Sequence, residues 1–295
     1  MPELPEVQTT VNYLKKKLIG LRFKDVWSDW EKTVRQAGGI SNLRKEIKKR
    51  KIVQVYRRAK FIVIDIEGDR SIFIHQKISG HLLYGKWKFV KGVWAAILKG
   101  PLKKERENQY IRVIFNLSNG YQLALSDLRR FGKIILVKDK DVSNLKEVRD
   151  LGPEPLELTF RDFQELFKGA RPKRGRLKVV LMDPFFIVGI GNIYSDEILW
   201  KAGLHPLVRV ENLDNDDLKR LYDATKEILE KAVKFGGSSV DDYRMPSGEK
   251  GQFQNMQNAY HQTKKKCRKR DGGIIQRLKV GGRSAHFCRV HQVLK

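Results

Sequence analysis

The hydrophobic pattern of the chain changes once, and that change limits the folds it can adopt. From Lys51 to Val137 the apolar runs are short and rich in Val, Ile and Tyr, with turn signals such as Gly68-Asp69 and Asn119-Gly120 between them. Beyond the punctuated segment at 151–155, apolar residues recur at helical spacing instead. The sequence therefore predicts an α+β fold in which a strand-rich half precedes a helical half.

Helices are predicted where the helical spacing is regular. The first covers Pro5 to Ile19, with Gly20 as a natural stop. The basic segment from Lys86 to Asn108 has an apolar middle and is read either as a long hairpin or as an insertion. In the second half the pattern predicts helices over 160–167, 177–182, 192–202 and 214–235, and a loop over 238–257.

The charge of the chain points to a polyanionic partner. Its 295 residues include 60 Lys and Arg against 34 Asp and Glu, a formal net charge of +26. Because such an excess repels itself, nucleic acid is the leading partner and an anionic membrane surface the second. No stretch is apolar over the ~20 residues of a membrane span, and no secretion signal opens the chain. A cytoplasmic protein is expected, and its two cysteines exclude a disulfide framework.

The start of the chain, Pro2-Glu3-Leu4-Pro5-Glu6-Val7, has the elements of a nucleophilic site. If Met1 is removed, Pro2 becomes a secondary amine, and because an α-amino pKa lies near ~7.7–8.0, part of it is unprotonated at neutral pH. That amine can attack a sugar carbon and form an iminium, with Glu3 beside it as acid and base. The alternative is an ordinary helix start, which proline and acidic residues also favour.

Three other segments carry residues that suit nucleic acid. Asn192 follows a glycine turn that opens a helix, where N–H groups either bind a phosphate or are merely capped. In the loop 127–132, Arg129 can hydrogen-bond a base edge and Phe131 can wedge between bases, although a salt-bridge cluster explains the loop equally well. Lys60 is predicted inside a strand, directly before its apolar residues 61–64. There it either snorkels out of the sheet or points into a site.

The C-terminal tail holds a candidate metal site. Cys288 and His291 have the C-x2-H spacing of half a zinc clip. Cys267 with Asp271 is a weaker second half. The spare candidates for ligands are His261 and His286.

Taken together, seven segments resemble the formamidopyrimidine-DNA glycosylase family of base-excision repair enzymes, in its purine-type branch. Each segment is weak alone, but they occur in the family's order over nearly the whole chain, which makes the set highly specific. The segments are 2–7, 57–60, 78–80, 127–132, 151–156, 189–194 and 279–283.

The resemblance implies three domains and a function. An N-terminal antiparallel β-sandwich with flanking helices is expected over 1–140, a helix–two-turn–helix domain over 141–259, and a zinc-finger-like hairpin over 260–295. The implied enzyme is a bifunctional DNA glycosylase and lyase that excises 8-oxoguanine and formamidopyrimidines from duplex DNA by Schiff-base attack and β,δ-elimination. Its implied partner is duplex DNA containing oxidised bases, and it is expected to be a monomer that does not bind membranes.

Residue by residue, the resemblance implies five catalytic positions. Pro2 attacks C1′ of a nucleotide flipped out of the duplex, Glu3 protonates the sugar, and Glu6 supports the site. Lys60 contacts phosphate and assists β-elimination. Arg283 contacts phosphate and assists δ-elimination.

A second group is implied to bind DNA. Arg174 and Asn192 match phosphate-binding positions of the family. Ile78, Arg129 and Phe131 match the residues that fill the gap left by the flipped base, with Arg129 facing the orphaned cytosine.

The chain departs from the family pattern at several of these sites. Ile78 replaces a methionine and Leu128 replaces a proline, while Tyr110 or Arg112 stands where the family has a DNA-contacting histidine. The family supplies four zinc-binding cysteines; here Asp271 aligns with the second and His291 with the fourth, and Cys267 stands one place early, with Cys288 as the remaining cysteine. Zn2+ is therefore either bound by this altered set or lost, with packing holding the hairpin.

Two rival functions stay open on the sequence alone. The oxidised-pyrimidine branch, related to endonuclease VIII, is the enzymatic rival, although Leu4 and the loops at 238–243 and 248–253 resemble the purine type. The other rival is a damaged-DNA-binding protein without catalysis, which would need neither Pro2 nor Glu3.

Overall fold

The first predicted helix is present in the computed structural model, which describes residues 1–169 and 175–295. This helix, α1 (Leu4–Leu18), buries Val7, Val11 and Leu14 completely, as its apolar spacing predicts. The described residues divide into a first unit, Met1–Arg149 with Val233–Gln254, and a second unit, Asp150–Ala232 with Asn255–Lys295.

The first unit is built on two four-stranded antiparallel sheets. Its strands are β1 (Phe23–Ser28), β2 (Ile52–Arg58), β3 (Phe61–Ile66), β4 (Arg70–His75), β5 (His81–Gly85), β6 (Trp87–Val90), β7 (Val93–Ala96), β8 (Ile111–Leu117), β9 (Gln122–Ser126) and β10 (Lys133–Lys138). One sheet has the order β1-β8-β9-β5 and the other β10-β4-β3-β2. Buried side chains of both sheets and of α1 share one core, so the predicted β-sandwich is confirmed.

The turns that join these strands explain one error of the sequence prediction. Gly68 and Asp69 both have positive φ angles, 82° and 55°, and connect β3 to β4 as predicted. Lys60, in contrast, does not lie inside a strand. Ala59 adopts a φ of 52° and begins a tight turn between β2 and β3, which places Lys60 in that turn. The prediction failed because the long Val, Ile and Tyr run shows no glycine where the chain reverses.

Two regions between the strands also differ from the prediction. Residues 31–47, for which the sequence pattern predicts no helix, form α2 (Glu31–Val34), a 3-10 turn and α3 (Gly39–Ile47). The segment from Lys86 to Asn108 is a short hairpin of β6 and β7 followed by α4 (Pro101–Lys104). In that hairpin Phe89 and Trp94 pack with Trp27, with ring centroids 5.3–5.7 Å apart.

The second unit is helical and follows the predicted boundaries within two residues. Its helices are α5 (Phe160–Lys168), α6 (Leu177–Leu181), α7 (Asn192–Ala202) and α8 (Asn215–Lys234), the last of which belongs to this unit up to Ala232. The strands β11 (Ile275–Val280) and β12 (Arg283–Cys288) form an antiparallel hairpin. Gly281 and Gly282, with φ angles of 53° and 78°, make its turn.

Among the described residues, no helix has both the length and the apolar character needed to span a lipid bilayer.

The shared core gives a direct test of the sandwich. Leu125 of β9 is fully buried in it. We therefore expect Leu125→Ala to lower the free energy of unfolding by about 2–5 kcal/mol. Val53→Ala, on the exposed side of β2, should stay within about 0.5 kcal/mol. Urea unfolding followed by tryptophan fluorescence measures both. The tryptophans of the first unit are Trp27, Trp30, Trp87 and Trp94. Equal losses in the two variants would contradict the packing.

Candidate active site and DNA-binding surfaces

The N-terminal motif is held by one buried carboxylate. Glu6 is 1% exposed, and its Oε2 accepts a 2.7 Å hydrogen bond from the backbone N–H of Glu3. Its Oε1 accepts another, also 2.7 Å, from the backbone N–H of Ser238. Glu3 and Glu6 thus form a capping box at the start of α1, which fixes Pro2 and Glu3 against the loop that follows α8.

Two neighbours from that loop complete this arrangement. The hydroxyl of Tyr243 donates to the backbone carbonyl of Glu6 at 3.2 Å. Burial, followed by the Glu6 charge, raises the pKa of Tyr243, so the phenol remains a donor. A side chain at Gly237, whose φ is 77°, would approach Glu6 Oε1 to 2.8 Å. The resemblance implies a supporting role for Glu6, but no pattern in the sequence indicates that Ser238 and Tyr243 are its partners.

The residue that blocks the proline nitrogen lies at the surface. Met1 is 41% exposed, and its α-ammonium group is 3.4 Å from the exposed carboxylate of Asp241. Pro2 itself is buried. An exposed ion pair of this kind contributes little, so the first residue is accessible to removal.

Lys60 shares its surroundings with other lysines and a neutral histidine. Burial, followed by the charges of Lys77, Lys60 and Lys133, lowers the pKa of His75 to about 3. Nδ1 of His75 accepts a 2.9 Å hydrogen bond from the backbone N–H of Lys77, which leaves Nε2 as the protonated nitrogen. His75 is therefore a neutral donor among ammonium groups, a set that suits phosphate. His75 was not selected from the sequence.

The two turns that carry the predicted gap-filling residues are joined by hydrogen bonds. Asp127 is buried and accepts from Ser79 Oγ at 2.5 Å and from the Gly132 N–H at 2.8 Å. Ser79 Oγ in turn accepts from the Arg129 N–H at 2.9 Å. The turn at 78–80 and the loop at 127–132 therefore form one framework.

This framework presents apolar side chains to solvent. Ile78 is 36% exposed and Phe131 is 47% exposed. The guanidinium carbon of Arg129 lies 4.9 Å from the centre of the Phe131 ring. The structure thus brings Ile78, Arg129 and Phe131 to two adjoining turns, as the resemblance implies.

Neither candidate for the missing histidine is singled out by its contacts. The hydroxyl of Tyr110 accepts from Arg106 Nε at 3.0 Å. Arg112 pairs with Asp29 at 2.9 Å and donates to the backbone carbonyl of Asp127. Tyr110 stays a prediction, and Arg112 supports the loop at 127–132.

In the second unit, Asn192 begins α7 beside a buried charge pair. Lys178 is fully buried, and its Nζ donates to Asp196 Oδ1 at 2.6 Å and to Ser195 Oγ at 2.9 Å. Asp196 Oδ2 accepts from the backbone N–H and from Nδ1 of His286 on β12, at 3.0 and 2.8 Å. This network fixes the hairpin to α7, and neither Lys178 nor Asp196 was selected from the sequence.

Asn192 opens onto a polar cavity of about 370 Å3. Its buried Oδ1 has no hydrogen-bond partner among the described residues, so the amide is available to a ligand. The cavity is lined by Asn192, Tyr260, His261, Thr263, Arg277, Ser284 and His286. Arg283 is exposed at the tip of the hairpin, and Arg174 lies outside the described residues.

The four predicted metal ligands come together at the base of the hairpin. Ligand atoms of Cys267, Asp271, Cys288 and His291 all lie within 4.8 Å of one another. Cys267 Sγ is 3.6 Å from His291 Nδ1, and Cys288 Sγ is 3.4 Å from Asp271 Oδ2. Ligands on a tetrahedral zinc ion are separated by about 3.3–3.8 Å, so two thiolates, an imidazole and a carboxylate fit this ion. His286, a spare candidate, is instead held by Asp196.

The surroundings of this group favour its metal-binding forms. Nε2 of His291 is 3.2 Å from the Trp200 carbonyl, which assigns the proton to Nε2 and leaves Nδ1 for a metal. Burial acts to raise the pKa of Asp271, but the hydrogen bond from the backbone N–H of Gly273 leads the contacts that outweigh it, and the pKa is lowered to about 2. A side chain at Gly273 would approach Cys288 Sγ to 2.3 Å, so this turn requires glycine.

Comparison with protein families gives two consecutive matches. Residues 1–134 match the family model of the formamidopyrimidine-DNA glycosylase N-terminal domain. Residues 151–244 match that of the formamidopyrimidine-DNA glycosylase H2TH domain.

Individual relatives match over the full length. A formamidopyrimidine-DNA glycosylase of Pelotomaculum thermopropionicum is 35% identical over 296 residues, covering 100% of both chains. One from Lactococcus lactis subsp. cremoris is 33% identical and covers 99% of both. Among solved structures, the Lactococcus lactis Fpg in complex with an abasic site containing DNA aligns with a TM-score of 0.82 at 32% identity, covering 99% of both chains. The same Fpg with a Fapy-dG containing DNA gives 0.81 at 30% identity, covering 99% of this chain and 100% of that one.

The framework around Asp127 can be tested without any substrate. Ser79→Ala removes one donor to Asp127 and the acceptor of the Arg129 N–H, and we expect a loss of about 1–3 kcal/mol in unfolding free energy. Hydrogen exchange of the peptide covering 127–132 should become faster. Ser143→Ala, at an exposed position of the same unit, is the matched control. Unchanged protection in Ser79→Ala would show that this serine does not hold the loop.

Proposed function

Because the chain belongs to the formamidopyrimidine-DNA glycosylase family, we propose that it excises oxidised purines from duplex DNA in base excision repair and then cleaves the abasic strand. The observation that carries this proposal is the buried capping box, in which Glu6 holds Pro2 and Glu3 at the start of α1. An ordinary helix start would not need a buried carboxylate shared with a residue 232 positions away.

The chemistry follows from a proline nitrogen freed by removal of Met1. That nitrogen forms a bond to C1′ as the bond from C1′ to the damaged base breaks, and Glu3 supplies the proton that opens the sugar. The resulting iminium withdraws electrons, so a C2′ proton is lost and the 3′ phosphate leaves. A second elimination expels the 5′ phosphate, and water then releases Pro2 from the sugar fragment.

The DNA contacts divide into positioning and gap-filling roles. Lys60, Asn192, Arg283 and the undescribed Arg174 would bind phosphates around the lesion, with neutral His75 as a further donor. Ile78 and Phe131 would fill the space left by the flipped base, where a β-branched side chain is stiffer than the methionine of the family. Arg129 would hydrogen-bond the orphaned cytosine.

The purine-type assignment rests on Leu4 and on the loops at 238–243 and 248–253, the first of which contacts the N-terminal motif. Ser238 and Tyr243 of that first loop contact Glu6, so this loop is part of the site rather than a remote insertion. Release of 8-oxoguanine should therefore exceed release of thymine glycol from matched duplexes. The reverse preference would favour the oxidised-pyrimidine branch.

We also propose that Zn2+ occupies the group of Cys267, Asp271, Cys288 and His291, in a structural role. When bound, the ion would neutralise the thiolates and fix the base of the hairpin. We further propose that the chain has three domains, at 1–140, 141–259 and 260–295. We also propose that it is a monomer and that it is cytoplasmic.

The nucleophile can be tested by blocking it. A chain with one additional residue before Pro2 carries an amide in place of the amine, and we expect single-turnover excision of 8-oxoguanine to disappear while binding to an abasic analogue persists. Glu3→Gln should slow excision by about 10²–10⁴-fold, whereas Glu230→Gln, an exposed control, should not. Full activity of the blocked chain would refute the proposed role of Pro2.

The metal proposal has a spectroscopic test. Cobalt substitution should give thiolate-to-metal absorption from two cysteines, which Cys288→Ser reduces and His291→Ala shifts. His261→Ala, in the same tail but outside the ligand group, should leave metal content near one ion per chain. If zinc content is unchanged by both Cys288→Ser and His291→Ala, the ligand set is wrong.

A further inference from the structure

A second cavity lies in the first unit, away from the N-terminal motif. It has a volume of about 560 Å3, within the range of small-molecule sites. The cavity is lined by Tyr13, Lys16 and Lys17 of α1 and by Tyr84, Leu98, Leu102, Asn119, Tyr121 and Ser247. Pro2 precedes the other end of α1, about 16 Å from Tyr13 at the helical rise per residue. None of the catalytic residues lines this cavity.

One wall of the cavity is a fixed aromatic platform. Tyr84 and Tyr121 stack with their ring centroids 5.0 Å apart and their planes 4° from parallel. Tyr13 packs against Tyr84 at 6.5 Å. The Tyr84 hydroxyl accepts a 2.8 Å hydrogen bond from Asn119, which sets the orientation of the stack. Such rings offer both apolar area and hydroxyl groups to a ligand.

Lysine ammonium groups surround these tyrosine rings. Lys86 Nζ lies 4.8 Å from the Tyr121 ring centre, and Lys17 Nζ lies 6.0 Å from that of Tyr13. Lys16 adds a third ammonium group. Burial, followed by the charges of Tyr84, Glu249 and Tyr121, raises the pKa of Tyr13, so its phenol stays a donor. Glu249 is the neighbouring carboxylate and accepts from Ser247 at 3.0 Å, but the lysines outnumber it.

An apolar wall completes the cavity. Leu98 and Leu102 come from the segment between Lys86 and Asn108, whose role the sequence leaves open. The helix dipole would favour lysines at the C-terminal end of α1 even without a ligand. That effect concerns the lysines alone. Tyr84 and Leu102 are buried in the cores of this unit, whereas Tyr13, Tyr121 and Leu98 remain partly exposed around the space.

We infer that the first unit binds a phosphorylated nucleoside in this cavity, with the base against Tyr13 and the leucines and the phosphate at Lys16 and Lys17. Stacking on aromatic rings together with ammonium groups is how proteins hold nucleotides without reading their sequence. The ligand is either a free mononucleotide or the terminal nucleotide of a DNA strand. The inference does not depend on the proposed excision activity.

Binding to the full chain tests this inference. The probes are dGMP, inorganic phosphate, and a tetranucleotide with and without a 5′ phosphate, measured by isothermal titration calorimetry. We expect dGMP or the phosphorylated tetranucleotide to bind, and the double variant Lys16→Glu/Lys17→Glu to raise Kd at least about tenfold, or about 1.4 kcal/mol. The matched control Lys45→Glu/Lys48→Glu changes the charge equally at exposed positions at the end of α3 and should change Kd less than twofold.

The outcomes distinguish a mononucleotide site from a strand-end site. They also distinguish a failure of this inference from a failure of the catalytic proposal. Binding of dGMP indicates a mononucleotide site, and binding of the phosphorylated tetranucleotide alone indicates a strand-end site. Binding of inorganic phosphate alone, equal losses in the two double variants, or no binding by any probe would overturn the inference. Excision of 8-oxoguanine should be the same in both double variants, so a failure of the catalytic proposal is detected separately.

Discussion

The site of this protein depends on the buried carboxylate of Glu6. Its two oxygens accept backbone N–H groups from Glu3 and Ser238, each at 2.7 Å. A buried carboxylate is costly unless it is fully hydrogen-bonded, and hydrogen bonds to a charged acceptor are the stronger kind. Because the buried Glu6 carboxylate needs both hydrogen bonds, they fix the position of Pro2 more tightly than an ordinary helix cap would.

Other buried carboxylates among the described residues also hold separate segments together. Asp127 holds the turns that carry Ile78, Arg129 and Phe131. Asp196 holds β12 against α7. Glu197 is fully buried and accepts the N–H groups of 258–260 at 2.8–2.9 Å. Although desolvation raises the pKa of Glu197, these hydrogen bonds oppose it. In a chain of net charge +26, the acidic groups at these places are inside, while basic and apolar groups face outward.

Sequence patterns predicted the features that depend on residues close together in the chain. Helix α7 has the predicted bounds, because its glycines at 191 and 203 mark both ends. The metal ligands were selected by spacing, and the structure brings Cys267 and His291 together with the other two. What depends on distant residues was missed: the bond between Glu6 and Ser238 spans 232 positions, and no local periodicity records it. Lys60 was misplaced because Ala59, rather than a glycine, adopts the turn conformation.

The chemistry proposed here requires that the sugar become attached to one nitrogen. The most direct measurement is to reduce the reacting complex with borohydride, digest it, and locate the sugar-derived mass by tandem mass spectrometry. The account predicts a single modified peptide whose first residue, Pro2, carries the adduct. An adduct on a lysine such as Lys60, with Pro2 unmodified, would contradict it.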